Sequence, residues 1–282
     1  MIIDGRKMAG EVLARAKARA EKLPHSPRVF AIVANETPVT KSYLAIKQKR
    51  AADAGCMLEV CRVDMTGIQD MMRSHLIVDS IKKAAEEANA IVVQLPLPAG
   101  VDTKTVCDAI PLEKDADVLS SAARKKFESG DADALLPPVV GAVRKILEFG
   151  NVEIAGKRAV VIGAGFLVGS PVASWLMRQG AQVNVIADPA EFAVARVPLA
   201  TADIVISGVG SPHLIKPDML KTGVVLIDAG TSESNGALVG DADPSCAAKC
   251  SIFTPVPGGV GPLAVACLFE NVVTLAERAI GK

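Results

Sequence analysis

Along this 282-residue chain, short runs of β-branched and aliphatic residues alternate with longer segments whose apolar positions recur every three or four residues. Met8 to Leu23 carries that helical spacing among Lys, Arg and Glu and predicts an amphipathic surface helix. Arg28 to Ala34 predicts a buried strand broken by Asn35-Glu-Thr-Pro38, and Lys41 to Ala54 a helix stopped at Gly55. Leu58 to Val63 predicts a second strand and Gln69 to Asn89 a helix. Ala90-Ile-Val-Val-Gln-Leu-Pro-Leu-Pro98 reads as a strand with a proline-stiffened end. Pro111 to Asp117 is a polar loop, and Leu135 to Gly150 a long helix entered through Pro137-Pro138. The alternation then restarts with a strand at Ala159 to Ile162, a glycine-rich turn at Gly163 to Gly169 and a helix from Ser170 to Gln179. Gln182 to Ile186, Ile204 to Ser207 and Val224 to Ile227 are further short strands, and Leu263 to Ile280 is an apolar last helix.

Strands that alternate with helices imply parallel β-α-β units. The expected fold is therefore α/β and two-lobed: an α/β domain over residues 1–140 and a Rossmann-type parallel-sheet domain over 141–262, with a hinge near 118–150. The C-terminal helix, 263–282, is expected to return to the first lobe.

Composition narrows the partners. Half the residues are hydrophobic and only 3% aromatic, which suits α/β layers, and 31 basic residues cancel 31 acidic ones. No net field draws the chain to nucleic acid or a membrane surface. The most apolar window, Ala90 to Val101, is interrupted by Gln94, Pro96 and Pro98 and is too short for a membrane span. Charge within Met1 to Lys7 is unlike a secretory signal, so a cytoplasmic protein with six reduced thiols is expected. Cys246 and Cys250 have neither a second pair nor a nearby His, so no metal site is expected.

Five stretches carry candidate chemistry. Gly163, Gly165 and Gly169 lie between a strand and a helix, where glycines let backbone amides approach a pyrophosphate and the helix N-terminus adds positive potential. The third glycine is one residue later than in the usual G-x-G-x-x-G spacing; Ala164 and Val168 complete the turn. Asp188 closes the next strand where a carboxylate would meet the adenosine ribose, so NAD is preferred over NADP. The competing reading is a glycine turn that only lets helix and strand pack. Tyr43 and Lys47 are four residues apart on one helix face, and a lysine in a cleft could transfer protons if burial lowered its pKa; alone, the pair reads as an ordinary surface. Gln94 is an amide in an apolar run and needs partners. Asp115 and Asp117 share a loop whose default is a solvated turn. Thr254-Pro-Val-Pro-Gly-Gly-Val-Gly-Pro262 is too rich in proline and glycine for helix or strand and reads as a stiff loop.

Taken together these stretches resemble the methylenetetrahydrofolate dehydrogenase/cyclohydrolase family nearly end to end. The likeness covers Thr37 to Lys47, Val93-Gln-Leu-Pro-Leu-Pro98, Glu113 to Asp117, Gly156 to Gly169, Ala202 to Ser207, Ile227 to Gly230 and Thr254 to Pro262. The resemblance implies oxidation of 5,10-methylenetetrahydrofolate with NAD or NADP and hydrolysis of the methenyl product to 10-formyltetrahydrofolate, in one-carbon metabolism. It implies a folate cleft between the lobes, with Tyr43 stacking on the folate, Lys47 handling protons under the hold of Gln94, and Asp117 on the pterin edge. Leu95, Pro96, Pro257, Gly258, Gly259 and Pro262 would line the substrate, and Gly210 and Thr231 would join the glycine turn at the cofactor. A homodimer is the family expectation. Departures from the family pattern are Gly163-Ala164-Gly165 for Gly-Arg-Ser, Pro137-Pro138-Val139-Val140 for Pro-Cys-Thr-Pro, Val118 for Gly after Asp117, and Ala264 for Thr. The alternatives are a dehydrogenase without hydrolase activity, a shikimate-dehydrogenase-like oxidoreductase, and a non-catalytic binding module.

Overall fold

The computed structural model describes residues 1–187, 196–234 and 236–281. The chain divides into two compact units, Gly10–Pro138 with Val265–Lys282 (the first) and Met1–Ala9 with Val139–Ala264 (the second).

The chain opens with α1 (Gly5–Ala20), β1 (Arg28–Val33), α2 (Pro38–Asp53), β2 (Met57–Arg62), α3 (Asp70–Ala85), β3 (Ala90–Val93), α4 (Thr103–Asp108) and α5 (Ser121–Glu128). The three strands pair in parallel in the order β2-β1-β3. All four residues of β3 are buried, the continuous apolar run expected of a strand covered on both faces. Phe30, Ile32, Ile77, Ile81, Ile91 and Val106 form the core between this sheet and α3 and α4. Local side chains set the helix starts. Asp4 Oδ1 accepts from the Lys7 N–H, Thr37 Oγ1 from Thr40, Asp102 from Lys104 and Thr105, and Ser120 from Ala123. Each supplies an acceptor for first-turn donors that have no helical partner. The first of these bonds helps to explain why α1 begins at Gly5 rather than near Met8.

The chain continues with α6 (Pro138–Phe149), β4 (Arg158–Ile162), α7 (Gly169–Arg178), β5 (Gln182–Ile186), α8 (Arg196–Thr201), β6 (Ile204–Ser207), β7 (Val224–Asp228), a hairpin of β8 (Ser232–Ser234) and β9 (Ala237–Val239), β10 (Cys250–Phe253) and α9 (Val260–Ile280). Five strands form a parallel sheet in the order β10-β7-β6-β4-β5, with Val160, Ile162, Leu199, Val205, Leu226 and Phe253 in its core. Ile2 bridges to Phe253, which ties the N-terminal residues to this unit.

From Val265 onward α9 belongs to the first unit. At 21 residues it is long and apolar enough to cross a membrane, yet 61% of its most apolar window is buried, as in a core helix. Polar fasteners fix it there. Asn271 Nδ2 donates to the carbonyls of Ala116 and Leu136, and Arg19 pairs with Glu277. The predicted two α/β layers and the return of the last helix are what the structure has.

Both parallel sheets change direction at an inner strand. From β1 the chain goes to β2 on one side and then to β3 on the other; from β4 it goes to β5 and then to β6. In open α/β sheets a crevice opens at such switch points, beyond the carboxyl ends of the strands.

Candidate active site

In the first unit, β3 delivers Gln94 at the switch point and α2, which follows β1, carries Lys47. Lys47 Nζ donates to Gln94 Oε1 over 2.9 Å, and Gln94 Nε2 donates to the Leu95 carbonyl over 2.8 Å. The amide is thereby held with its oxygen toward the amine. It also answers why a polar residue ends an apolar strand: both ends of its amide have partners. Leu95 and Pro96 follow at once, joined by a cis peptide bond.

Asp117 stands in the loop after β3 and α4, close enough to act electrostatically on Lys47. Loss of hydration lowers the Lys47 pKa from the ordinary lysine value, against the opposing pull of Asp117. Burial likewise raises the Asp117 carboxyl; Lys47 opposes that rise, and Asp115 adds to it. Both shifts favour neutral forms, so the pair resists ionisation more than it would in water.

Asp115 departs from the solvated turn that its sequence setting predicts. It is 1% exposed and accepts from the N–H groups of Leu119 (3.1 Å) and Ser120 (2.8 Å). Those bonds close the loop around Asp117. Tyr43 lies one turn before Lys47 on α2; its side chain falls outside the described residues.

In the second unit the sequence-predicted cofactor residues gather at the other switch point. Gly163 ends β4 at φ 92°, and a Cβ there would lie 3.2 Å from the Gly208 carbonyl oxygen at the end of β6. A Cβ on Gly169 would lie 1.8 Å from the Gly163 carbonyl oxygen, so the glycine that arrives one residue late still lets α7 start against the turn. Ala164 and Gly165 are exposed, and a Cβ on Gly165 would meet nothing within 4 Å. An open glycine turn leading into a helix N-terminus fits the pyrophosphate of a dinucleotide. Val168 packs on Gly208, where a Cβ would come within 2.4 Å of Val168 Cγ1. Gly210, at φ 70°, adjoins Thr231 and Ser232, and Ser232 Oγ donates to the Gly210 carbonyl over 2.7 Å. Asp188 falls outside the described residues.

The proline- and glycine-rich stretch also belongs to the second unit, but it is a loop only as far as Gly259, because Val260 to Pro262 already form the start of α9. Thr254 Oγ1 accepts from the Asp228 N–H over 2.7 Å, and the Gly259 N–H donates to the Pro255 carbonyl over 2.8 Å. A Cβ on Gly5 would lie 1.8 Å from the Gly259 carbonyl oxygen, so the start of α1 rests on this backbone. Gly258 takes φ 112°, and the Val256–Pro257 bond is cis. The first unit by itself thus groups Lys47, Gln94 and Asp117; Pro257, Gly258, Gly259 and Pro262 are assembled in the second.

The sequence patterns assign no role to two further candidates, Asp228 and Asp241, although Asp228 lies within the Ile227 to Gly230 stretch of the family likeness. Asp228 and Asp241 are 1% and 0% exposed, and their carboxylates bond to the loops around the second switch point. The available signals were an acidic residue that ends a buried strand, Asp228 in β7, and one that directly follows a glycine, Asp241 after Gly240. Among the described residues no group of three or more His, Cys, Asp or Glu is placed to hold a metal ion.

Comparison with known proteins gives the same division of labour. Residues 3–117 match the tetrahydrofolate dehydrogenase/cyclohydrolase catalytic domain and residues 137–280 the NAD(P)-binding domain of the same family. The bifunctional protein FolD of Moorella thermoacetica is 36% identical, with 98% of this chain and 99% of that protein covered. The bifunctional FolD enzyme of Campylobacter jejuni superposes with a TM-score of 0.91 at 28% identity, covering 99% of both chains. The Trypanosoma brucei enzyme, solved with NADP and an inhibitor, superposes at 0.92 with 29% identity, covering 100% of this chain and 99% of that one. The chain belongs to the tetrahydrofolate dehydrogenase/cyclohydrolase family.

Proposed function

We propose that the protein oxidises 5,10-methylenetetrahydrofolate to the methenyl compound with NAD(P)+ and then hydrolyses that product to 10-formyltetrahydrofolate. The observation that carries this reading is the Lys47–Gln94 pair beside Asp117: an amine with a lowered pKa, oriented by an amide that cannot titrate. A neutral amine can take a proton from the water that attacks the methenyl carbon, and Gln94 keeps its lone pair aimed. Asp117 offers hydrogen-bond capacity to the pterin edge, and Tyr43 a ring to stack on the folate. Bound nicotinamide supplies the hydride acceptor, while the second unit's glycine turn holds the pyrophosphate.

The finer part of the proposal is a preference for NAD. Ala164 presents a methyl group where a basic side chain would pair with a 2′-phosphate, and Asp188 would repel one. A homodimer formed through an apolar surface of the second unit belongs to the same reading.

The test supplies 5,10-methylenetetrahydrofolate with NAD+ and NADP+ in parallel and follows nicotinamide reduction and the methenyl chromophore together. Reduction with little methenyl accumulation, faster with NAD+, is the expected result. Methenyl rising in step with reduction would leave a dehydrogenase alone, and faster NADP+ turnover would overturn the cofactor preference. Lys47→Met should reduce hydrolysis of added methenyl substrate by about a hundredfold or more. The unaltered rate should rise with pH to a midpoint below the ordinary lysine value, because it is the neutral amine that works.

A further inference from the structure

We propose that Asp241 is a positioning residue for cofactor binding: its buried carboxylate holds the loop Ser207 to Ser211 in the shape that meets the dinucleotide. The inference rests on the dehydrogenase reading and names a residue that touches neither substrate nor cofactor.

The geometry is a three-point clamp. Asp241 Oδ2 accepts from Ser207 Oγ (2.6 Å) and from the Val209 N–H (2.9 Å), and Oδ1 accepts from the Ser211 N–H (2.7 Å). The three donors span the whole turn that leaves β6 at the switch point. That turn carries Gly208, which lies against Gly163 and Val168, and Gly210, which adjoins Thr231. One carboxylate therefore sets the height of the wall opposite the pyrophosphate turn. A charged acceptor forms stronger bonds than a neutral one, and two backbone N–H groups left unpaired in a buried site would be costly.

A second carboxylate braces the first. Asp228 Oδ1 accepts from the Gly230 N–H (2.9 Å) and Oδ2 from the Ala242 N–H (2.8 Å), so it bonds to the residue next to Asp241. Gly230 and Gly240 leave room for the crossing: a Cβ on Gly230 would lie 2.2 Å from the Asp241 carboxyl, and one on Gly240 would lie 2.1 Å from Asp228 Oδ2. Burying two like charges side by side is a poor way to stabilise a fold: burial, with a smaller contribution from the neighbouring Asp241, raises the Asp228 carboxyl to about 6. What the arrangement does provide is a loop with no freedom at three successive anchor points, Ser207, Val209 and Ser211.

The test separates cofactor positioning from general stability, because hydrolysis of preformed methenyltetrahydrofolate changes no oxidation state and needs no nicotinamide. Asp241→Asn and, as a milder change, Ser207→Ala are compared with the unaltered protein. The expected result for Asp241→Asn is a rise of about tenfold or more in both the dehydrogenase KM for NAD(P)+ and the Kd for reduced nicotinamide measured by fluorescence. Its hydrolysis rate should stay within about twofold. Ser207→Ala should move the same two constants by a few-fold. Unchanged cofactor constants in both variants would overturn the proposal, as would equal loss of both activities. If the unaltered protein bound no reduced nicotinamide, the dehydrogenase reading would fall first and this inference with it.

Discussion

Val118 holds a backbone conformation that β-branched residues rarely adopt. Its φ is 57°, while its side chain is 1% exposed. In the left-handed region Cβ crowds the following carbonyl, at a cost of roughly 1–2 kcal/mol. The strain sits next to Asp117, in a loop already tied by Asp115, so the surrounding structure forces the conformation. Ordinarily an alanine in place of valine leaves a more stable protein than a glycine does. Here the order should invert, since alanine keeps the strain and glycine removes it. Val118→Gly is expected to be more stable than Val118→Ala by roughly 1 kcal/mol in denaturant unfolding. The usual order, with alanine ahead, would show that the loop relaxes once the valine is gone. The sequence shows that valine stands where the family pattern has glycine, but no local pattern shows that this position takes a positive φ, the region that favours glycine.

Among elements, the glycine turn after β4 shows how packing decides what spacing leaves open. The late glycine weakened the cofactor motif on paper, yet Gly169 is where α7 meets the Gly163 carbonyl, with no room for a Cβ. Gly169→Ala must push α7 away from β4 or twist the turn. It is expected to cost roughly 2 kcal/mol or more in stability. Dehydrogenase activity should fall far more than hydrolysis of added methenyl substrate, whose proposed base, Lys47, belongs to the other unit; equal losses would mean that the turn has no special part in cofactor binding. The parallel strands other than β10, the longer connecting helices and the return of the last helix were legible because continuous apolar runs and helical spacing are strong signals, whereas β10 is only four residues long, with Ser251 among them. The short α4 and α5 and the hairpin of β8 and β9 were not. Each spans eight residues or fewer, and the two helices start at capping residues, Asp102 and Ser120, that also serve in ordinary turns. The Lys47–Gln94 bond joins residues 47 positions apart, a distance that no local pattern spans.

At the scale of the whole molecule, buried carboxylates should set the pH at which the protein is most stable. Exposed acids such as Asp108, held down to about 2 by Lys104 and by the Ser121 N–H, stabilise the fold while ionised and lose that contribution as pH falls. Asp228 acts in the opposite sense. Burial raises its folded-state pKa from 3.8 to about 6, so the folded protein holds a proton that the unfolded chain has released. Its favourable contribution is complete below about pH 4 and is lost as pH rises through about 6, a change on the order of 3 kcal/mol. Asp117, also raised by burial, adds to this slope from the first unit. Stability should therefore pass through a maximum on the acid side of neutrality, between the range where the paired acids become protonated and the range where Asp228 ionises. Asp228→Asn removes the titration but turns an amide toward one of the N–H groups of Gly230 and Ala242, so the variant is expected to be less stable at pH 4. The informative quantity is the slope. Denaturant unfolding of both proteins between pH 4 and pH 7 should show the two stabilities converging as pH rises, because only the unaltered protein has to ionise a buried acid. Parallel profiles would mean that Asp228 is already ionised throughout, and that the loops around it hold more water than their burial suggests.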